Sequence, residues 1–162
     1  MKTTDPEEWL IQFNAVENLR ILNKYHSHDL IENLELFITF CKDSVENLRS
    51  NISKNALMFC TELFNNKEII SEIKYCEQST KFIKTIMPSL LFKTVYDKVF
   101  ISKEAKTAVG HVIKNCIFLQ TLESLLNEGC LCKSNNKNLI EQSHTTHLLS
   151  FIEILDPSNT HH

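Results

Sequence analysis

The sequence predicts an all-α chain in which about four helical hairpins stack into an α-α superhelix. Three observations carry that prediction. Glycine and proline are scarce: Gly110, Gly129, Pro6, Pro88 and Pro157 are the full set in 162 residues, too few for sheets joined by tight turns. Apolar residues recur at intervals of three and four, the period of a helix with one buried face. Finally, Ile52-Ser53-Lys54-Asn55-Ala56 returns with one change as Ile101-Ser102-Lys103-Glu104-Ala105. Each copy opens a helical pattern behind a polar or basic break. The interval of 49 positions is about what two antiparallel helices and their turns occupy in a stacked repeat.

The first helix is predicted over residues 5–23, with Trp9, Phe13, Val16, Leu19, Ile21 and Leu22 as its apolar stripe. Asp5 is its expected N-cap, Pro6 takes the first helical position, and Glu7 and Glu8 favour the positive end of the dipole. Tyr25-His26-Ser27-His28 breaks the pattern, and a second helix over 29–47 buries Leu30, Leu34, Phe37, Ile38, Cys41 and Val45. So short a connection makes the two an antiparallel pair. A loop at 48–51 precedes the third helix, 52–64, which buries Ala56, Phe59, Cys60 and Leu63. A shorter helix follows over 67–76, then a polar break at 77–79. The next helix starts at Ser79-Thr80 and turns Phe82, Ile83, Ile86, Leu90 and Leu91 inward, with Pro88 expected to kink or divide it. After a loop at 96–99 come helices over 100–114 and 116–127, the latter ended by Gly129. The last helix spans 137–155 and stops at Asp156-Pro157. The whole reads as one domain over 5–155, with 1–4 and 156–162 as flexible termini.

Composition excludes several function classes. With 17 basic against 20 acidic side chains, and no basic block, nothing is shaped to follow a nucleic-acid backbone. No apolar run is long enough to cross a bilayer, and the polar start lacks a secretory leader, so a cytoplasmic monomer is expected. The missing glycine-rich loop argues against the usual nucleotide folds. Of six cysteines, Cys41, Cys60, Cys76 and Cys116 lie in helical apolar patterns and are read as reduced core residues. Cys130, Cys132, His144 and His147 have spacings outside the usual zinc ranges, so no metal is expected. Neither a thiol paired with His26, His28 or His111 nor a carboxylate pair stands out, and the chain is read as a non-enzyme without a cofactor.

Asn47-Leu48-Arg49-Ser50-Asn51-Ile52-Ser53-Lys54-Asn55-Ala56, followed by Glu62-Leu63-Phe64, resembles the second-repeat signature of TOG domains. The likeness is to the CLASP and Crescerin branch, the TOG-array regulators of axonemal microtubules. Trp9 with Asn18-Leu19-Arg20-Ile21-Leu22 is similar to the first repeat. The run from Asp97 to Ala105 resembles the third, and the polar stretch from Ser134 to Ile140 falls where a fourth loop would lie. The resemblance spans nearly the whole chain and implies a paddle of HEAT repeats that binds tubulin or microtubules, in the cytoskeleton or the cilium, through loops along one edge.

That edge would consist of Trp9, then Arg49, Ser50, Asn51 and Lys54, then Lys98, Val99 and Lys103, then Asn136 and Lys137. The residue types suit the task. Cations attract an acidic surface over distance, an exposed Trp makes a rigid anchor, and helix N-termini offer amides to carboxylates. Each has a plainer reading: Trp9 also lies on the apolar stripe, and isolated lysines commonly solvate helix faces. The chain departs from the family in having room for about four repeats rather than about six. Its loop cations are lysines apart from Arg49, and its net charge is slightly acidic. The alternative is therefore a helical-repeat interaction scaffold that has lost tubulin binding.

Overall fold

The computed structural model describes residues 7–73, 77–116, 121–123, 125–127 and 137–155; the side chains of residues 73, 77–79, 137–142 and 144 are not among those described. All regular structure in that set is α-helical. The helices are α1 (Glu8–Tyr25), α2 (Ser27–Glu32), α3 (Leu34–Glu46), α4 (Ser50–Leu63), α5 (Lys67–Ile73), α6 (Glu77–Thr94), α7 (Val99–Asn115) and α8 (Lys137–Leu155). Residues 121–123 and 125–127 are also helical.

The helices form two layers. In one, α1 packs on α4 and α4 on α7; in the other, α3 packs on α6 and α2 on α5. The layers meet where α3 lies on α4 and α6 on α7, while α8 packs on α7 and α6. Each buries an apolar stripe in one continuous core, including Leu30, Leu34, Ile38, Leu57, Phe59, Ile83, Met87, Leu90 and Val109. The Phe64 and Phe82 rings meet at 6.0 Å between centroids.

Hydrogen bonds fix how α1, α4 and α7 sit side by side. Asn66, just past α4, donates from Nδ2 to the Asn23 carbonyl near the end of α1 (2.8 Å). Asn115, ending α7, donates in the same way to the Phe64 carbonyl at the end of α4 (2.7 Å). At the opposite end the Ser53 hydroxyl donates back to the Val45 carbonyl (2.7 Å), and Ser102 to that of Thr94 (2.5 Å). Both serines, and both donor asparagines, are separated by 49 residues. The sequence repeat is therefore a repeat of atomic contacts. The acceptors Asn23 and Phe64 set the step from α1 to α4 at 41 residues. On that register Ile11, Ile52 and Ile101 occupy one structural position, as do Ala15, Ala56 and Ala105.

Asn55 and Arg20 complete the contact between α1 and α4. The Arg20 guanidinium donates to Glu62 through Nε (2.9 Å) and to Glu17 and Asn55 through Nη1 (3.0 Å each). Glu62's hydrogen bond is the main cause that raises the arginine pKa, against the opposing effect of partial burial.

Several expectations about elements need correction. The first helix starts at Glu8, after Glu7 in a helical conformation without a side-chain cap; the expected cap at Asp5-Pro6 lies outside the described residues. Ile21, placed on the buried stripe, is exposed, because the face of α1 that meets α4 carries Val16, Arg20 and Asn23 instead. The expected helix over 29–47 is two helices divided at Asn33, whose side chain donates to the Asp29 carbonyl (2.9 Å) and leaves the backbone at φ −108°. The polar residues 77–79 belong to α6 rather than to a break, and α6 runs on through Pro88. Proline there removes one backbone hydrogen bond, while Ile86, Met87, Leu90 and Leu91, buried on both sides of it, hold the helix together. Gly129 lies outside the described residues, as do 1–6 and 156–162.

The shared position gives a test. Ile52 is 1% exposed and Ile101 fully buried, whereas Ile11 is 70% exposed. Ile52→Ala and Ile101→Ala should each cost about 2–5 kcal/mol in urea unfolding, while Ile11→Ala should stay within about 0.5 kcal/mol. Equal costs at all three would show that Ile11 is packed as its equivalents are, against its 70% exposure.

Candidate functional site: the row of helix starts

Because α1, α4 and α7 run in parallel with matched ends, their N-termini line one edge. Arg49 and Lys98 hold equivalent places there: each is the residue before its helix, extended at φ −75°, ψ 111° and φ −80°, ψ 107°. Each carbonyl accepts two amides of the following turn, Ile52 and Ser53 at one, Ile101 and Ser102 at the other. Neither side chain caps its own helix, and both residues are exposed. The Asn47 side chain steadies the loop by accepting the Arg49 amide (2.8 Å).

The two cations bridge neighbouring helices. Arg49 lies over the Trp9 ring, its Cζ 5.7 Å from the centroid, a cation–π contact that orients the guanidinium. The Lys98 ammonium donates to the Ser50 hydroxyl. Trp9, Arg49, Ser50 and Lys98 thus form one contiguous line across three helices. Asn51 and Val99 flank it in solvent, Val99 at 80% exposure. Lys54 and Lys103 lie one turn further on, at matched positions of α4 and α7, the first partly buried and the second exposed.

Two points differ from the sequence reading. Ser50 to Lys54 and Val99 to Lys103 are first turns of helices, not loops; the loops are the short segments 47–49 and 95–98. Trp9 is half-buried beneath Arg49 rather than projecting freely. Asn136 lies outside the described residues, and of Lys137 only its place as the first residue of α8 is described.

Acidic groups border the row. Beside Trp9 and Arg49, an open groove of about 800 Å³ includes Glu8, Asp43 and Glu46 along its walls. The Glu46 carboxylate accepts from Lys42 (2.8 Å) and from the Ser89 hydroxyl (2.6 Å). Burial pushes its pKa upward, but these hydrogen bonds and the charges of Lys42 and Lys93 outweigh that and leave it below 4.5. Lys93 is almost fully buried, its ammonium 4.4 Å from the Tyr96 ring centroid. Desolvation lowers its pKa, Glu46 opposes the shift, and Lys98 adds to it.

Sequence reasoning missed the apolar side of this edge. Leu48 is 89% exposed, and with Phe92, Lys42, Lys84 and Tyr96 it borders a second groove of about 740 Å³ between α3 and α6. The available signal was a leucine in a short loop, outside any helical stripe. Elsewhere, burial raises the thiol pKa of Cys41 and of Cys116 to about 12, and that of Cys60 well above 9.0, which keeps all three protonated and unreactive at neutral pH. Cys76, Cys130 and Cys132 lie outside the described residues. Among the described residues no three His, Cys, Asp or Glu side chains are grouped to hold a metal ion, and no helix is long and apolar enough to cross a membrane.

No family model, curated protein or solved structure matches the chain.

Glu46 supplies a pH test. A carboxyl whose folded pKa lies below its unfolded value adds stability that is full above the unfolded value and is lost as pH falls through the folded one. Between about pH 5 and pH 3, wild-type stability should therefore decline more steeply than that of Glu46→Gln. Parallel declines in urea midpoint would remove Glu46 from the acid response.

Proposed function

We propose that this chain is a non-catalytic, HEAT-like helical-repeat module that binds tubulin, in the manner of a TOG domain, through the row of helix starts. The observation that carries the reading is the continuity of Trp9, Arg49, Ser50 and Lys98 across three successive repeat units. A row of this kind meets a partner with one pre-oriented guanidinium, an aromatic plane and an ammonium, spaced by the distance between stacked helices. The amides of the first turns of α4 and α7 have no side-chain cap from Arg49 or Lys98, and helix N-termini of that kind accept acidic side chains. The tubulin surface is strongly acidic, and the resemblance of the same segments to TOG repeats supplies the name of the partner. Microtubule organisation, in the cytoplasm or at the axoneme, is the role that follows.

A second reading rests on the carboxylates. Glu8 and Asp43 beside the Trp9–Arg49 pair oppose an acidic partner, and favour a scaffold whose groove takes a protein of mixed charge. Salt dependence separates the two, because attraction between an exposed cationic row and an acidic lattice is screened over about 10 Å at 0.1 M salt. In co-sedimentation with microtubules or free tubulin dimer, binding is expected at low salt and should weaken as salt rises. Arg49→Glu and Lys98→Glu should each weaken it about three- to thirty-fold, while Lys114→Glu, on a different part of α7, should leave it within about two-fold. A folded protein that fails to bind micromolar tubulin at low salt would sink the tubulin reading and leave the scaffold.

A further inference from the structure

The groove of about 740 Å³ between α3 and α6 has a polarity along its length. The two helices run in the same direction, since Glu35 meets Lys81 near their starts and Glu46 meets Ser89 near their ends. On the α6 wall Lys84, Pro88 and Phe92 recur every fourth residue, with Tyr96 just beyond the helix. That stripe covers about 12 Å from Lys84 to Phe92. Lys42 and Glu46 stand on the α3 wall, and Leu48 follows the end of that helix. Leu48, Phe92 and Tyr96 therefore share one end of the groove, and Lys42 and Lys84 the other. Leu48 is 89% and Phe92 53% exposed, so two large apolar side chains stand open at the first end. Pro88 has no amide hydrogen to give the Lys84 carbonyl, which leaves a backbone acceptor on this wall without its usual donor.

Charge selects what fits. The chain has 20 acidic against 17 basic side chains, yet the groove reverses that balance, with Lys42, Lys84 and Lys93 against Glu46. Both Glu46 oxygens are engaged within the wall, one by Lys42 and the other by Ser89. Lys84 meets Glu123 at 3.0 Å, each side chain about half exposed. A pair so open to water contributes little and exchanges readily for another carboxylate. The apolar end is flanked by cations as well. Arg49 follows Leu48, and Lys98 lies two residues past Tyr96. Burial lowers the Lys93 pKa, Glu46 opposes the shift and Lys98 adds to it, which places Lys98 within electrostatic reach of the groove. Among the described residues neither Arg49 nor Lys98 makes an ion pair; they contact the Trp9 ring and the Ser50 hydroxyl. On the far side of Leu48 the groove beside Trp9 has the opposite sign, with Glu8, Asp43 and Glu46 against Arg49. An acidic segment is thus drawn to one side of Leu48 and repelled from the other.

We propose that the α3–α6 groove docks an acidic amphipathic helix of another protein, its large apolar side chains seated between Leu48 and Phe92. Carboxylates on one flank of those anchors face Arg49 and Lys98. Carboxylates about two turns away on the other flank face Lys84 and Lys42. The inference is independent of tubulin: a chain that binds such a helix and not tubulin keeps this site and loses the tubulin reading.

Fluorescence anisotropy of the full chain with a labelled peptide of about fourteen residues, leucines at its centre and glutamates on both flanks, tests this. Binding is expected with Kd of about 10–100 μM. The same peptide with lysine for every glutamate should bind at least about ten-fold more weakly. Leu48→Ser and Phe92→Ser should each weaken binding at least about five-fold, with unchanged far-UV circular dichroism and urea midpoint because both positions are exposed. Lys84→Glu should weaken it about three- to ten-fold, whereas Lys84→Arg, and Asp43→Asn in the groove of opposite sign, should stay within about two-fold. Absence of binding at about 500 μM protein would overturn the inference. So would equal affinity for the two peptides, or binding that survives both serine substitutions. Self-association of the chain that competes with the peptide would assign the groove to a second copy and overturn it as well.

Discussion

The structure depends on the parallel contact of α1, α4 and α7, and that contact is held at both ends. At one end, carboxamides of Asn66 and Asn115 take the last carbonyls of the preceding helix, groups that a helix terminus otherwise leaves to water. At the other, Ser53 and Ser102 tie the start of each helix to the end of the helix before it in sequence. Buried hydrogen bonds of this sort add only modestly to net stability. Their effect is on register: a slip of one residue would strand a buried amide or hydroxyl, and the penalty for that exceeds the gain from the bond itself. Apolar packing supplies the driving force, and the polar clamps choose which packing is allowed.

Register is also what makes the edge. With the helix ends matched, the residues before α4 and α7 are brought level with the start of α1, and Arg49 reaches Trp9 while Lys98 reaches Ser50. Neither cation is specified by the core, since each sits in a three- or four-residue connection whose backbone course is set by the clamps behind it. Glu46 and Lys93 show the same economy one layer back. Lys93 is tolerated in a nearly buried place because Tyr96 offers its ring face and Glu46 its charge, and Glu46 is held ionised by Lys42 and Ser89.

Much of this was legible in the residues. The repeated Ile-Ser-Lys-x-Ala fixed two equivalent helix starts because its isoleucine and alanine face the core and its serine makes the same back-bond twice. The third equivalent, Ile11-Gln12-Phe13-Asn14-Ala15, keeps the isoleucine, asparagine and alanine of Ile52, Asn55 and Ala56, yet the sequence does not show it as a repeat. Its interval is 41 rather than 49, and serine is replaced by Gln12, which donates to Ser44 instead (3.3 Å). The division at Asn33 was hidden because Leu30 and Leu34 continue one helical stripe across it. The exposure of Ile21 was hidden for a related reason: periodicity marks an apolar face, and α1 has two, only one of which is covered.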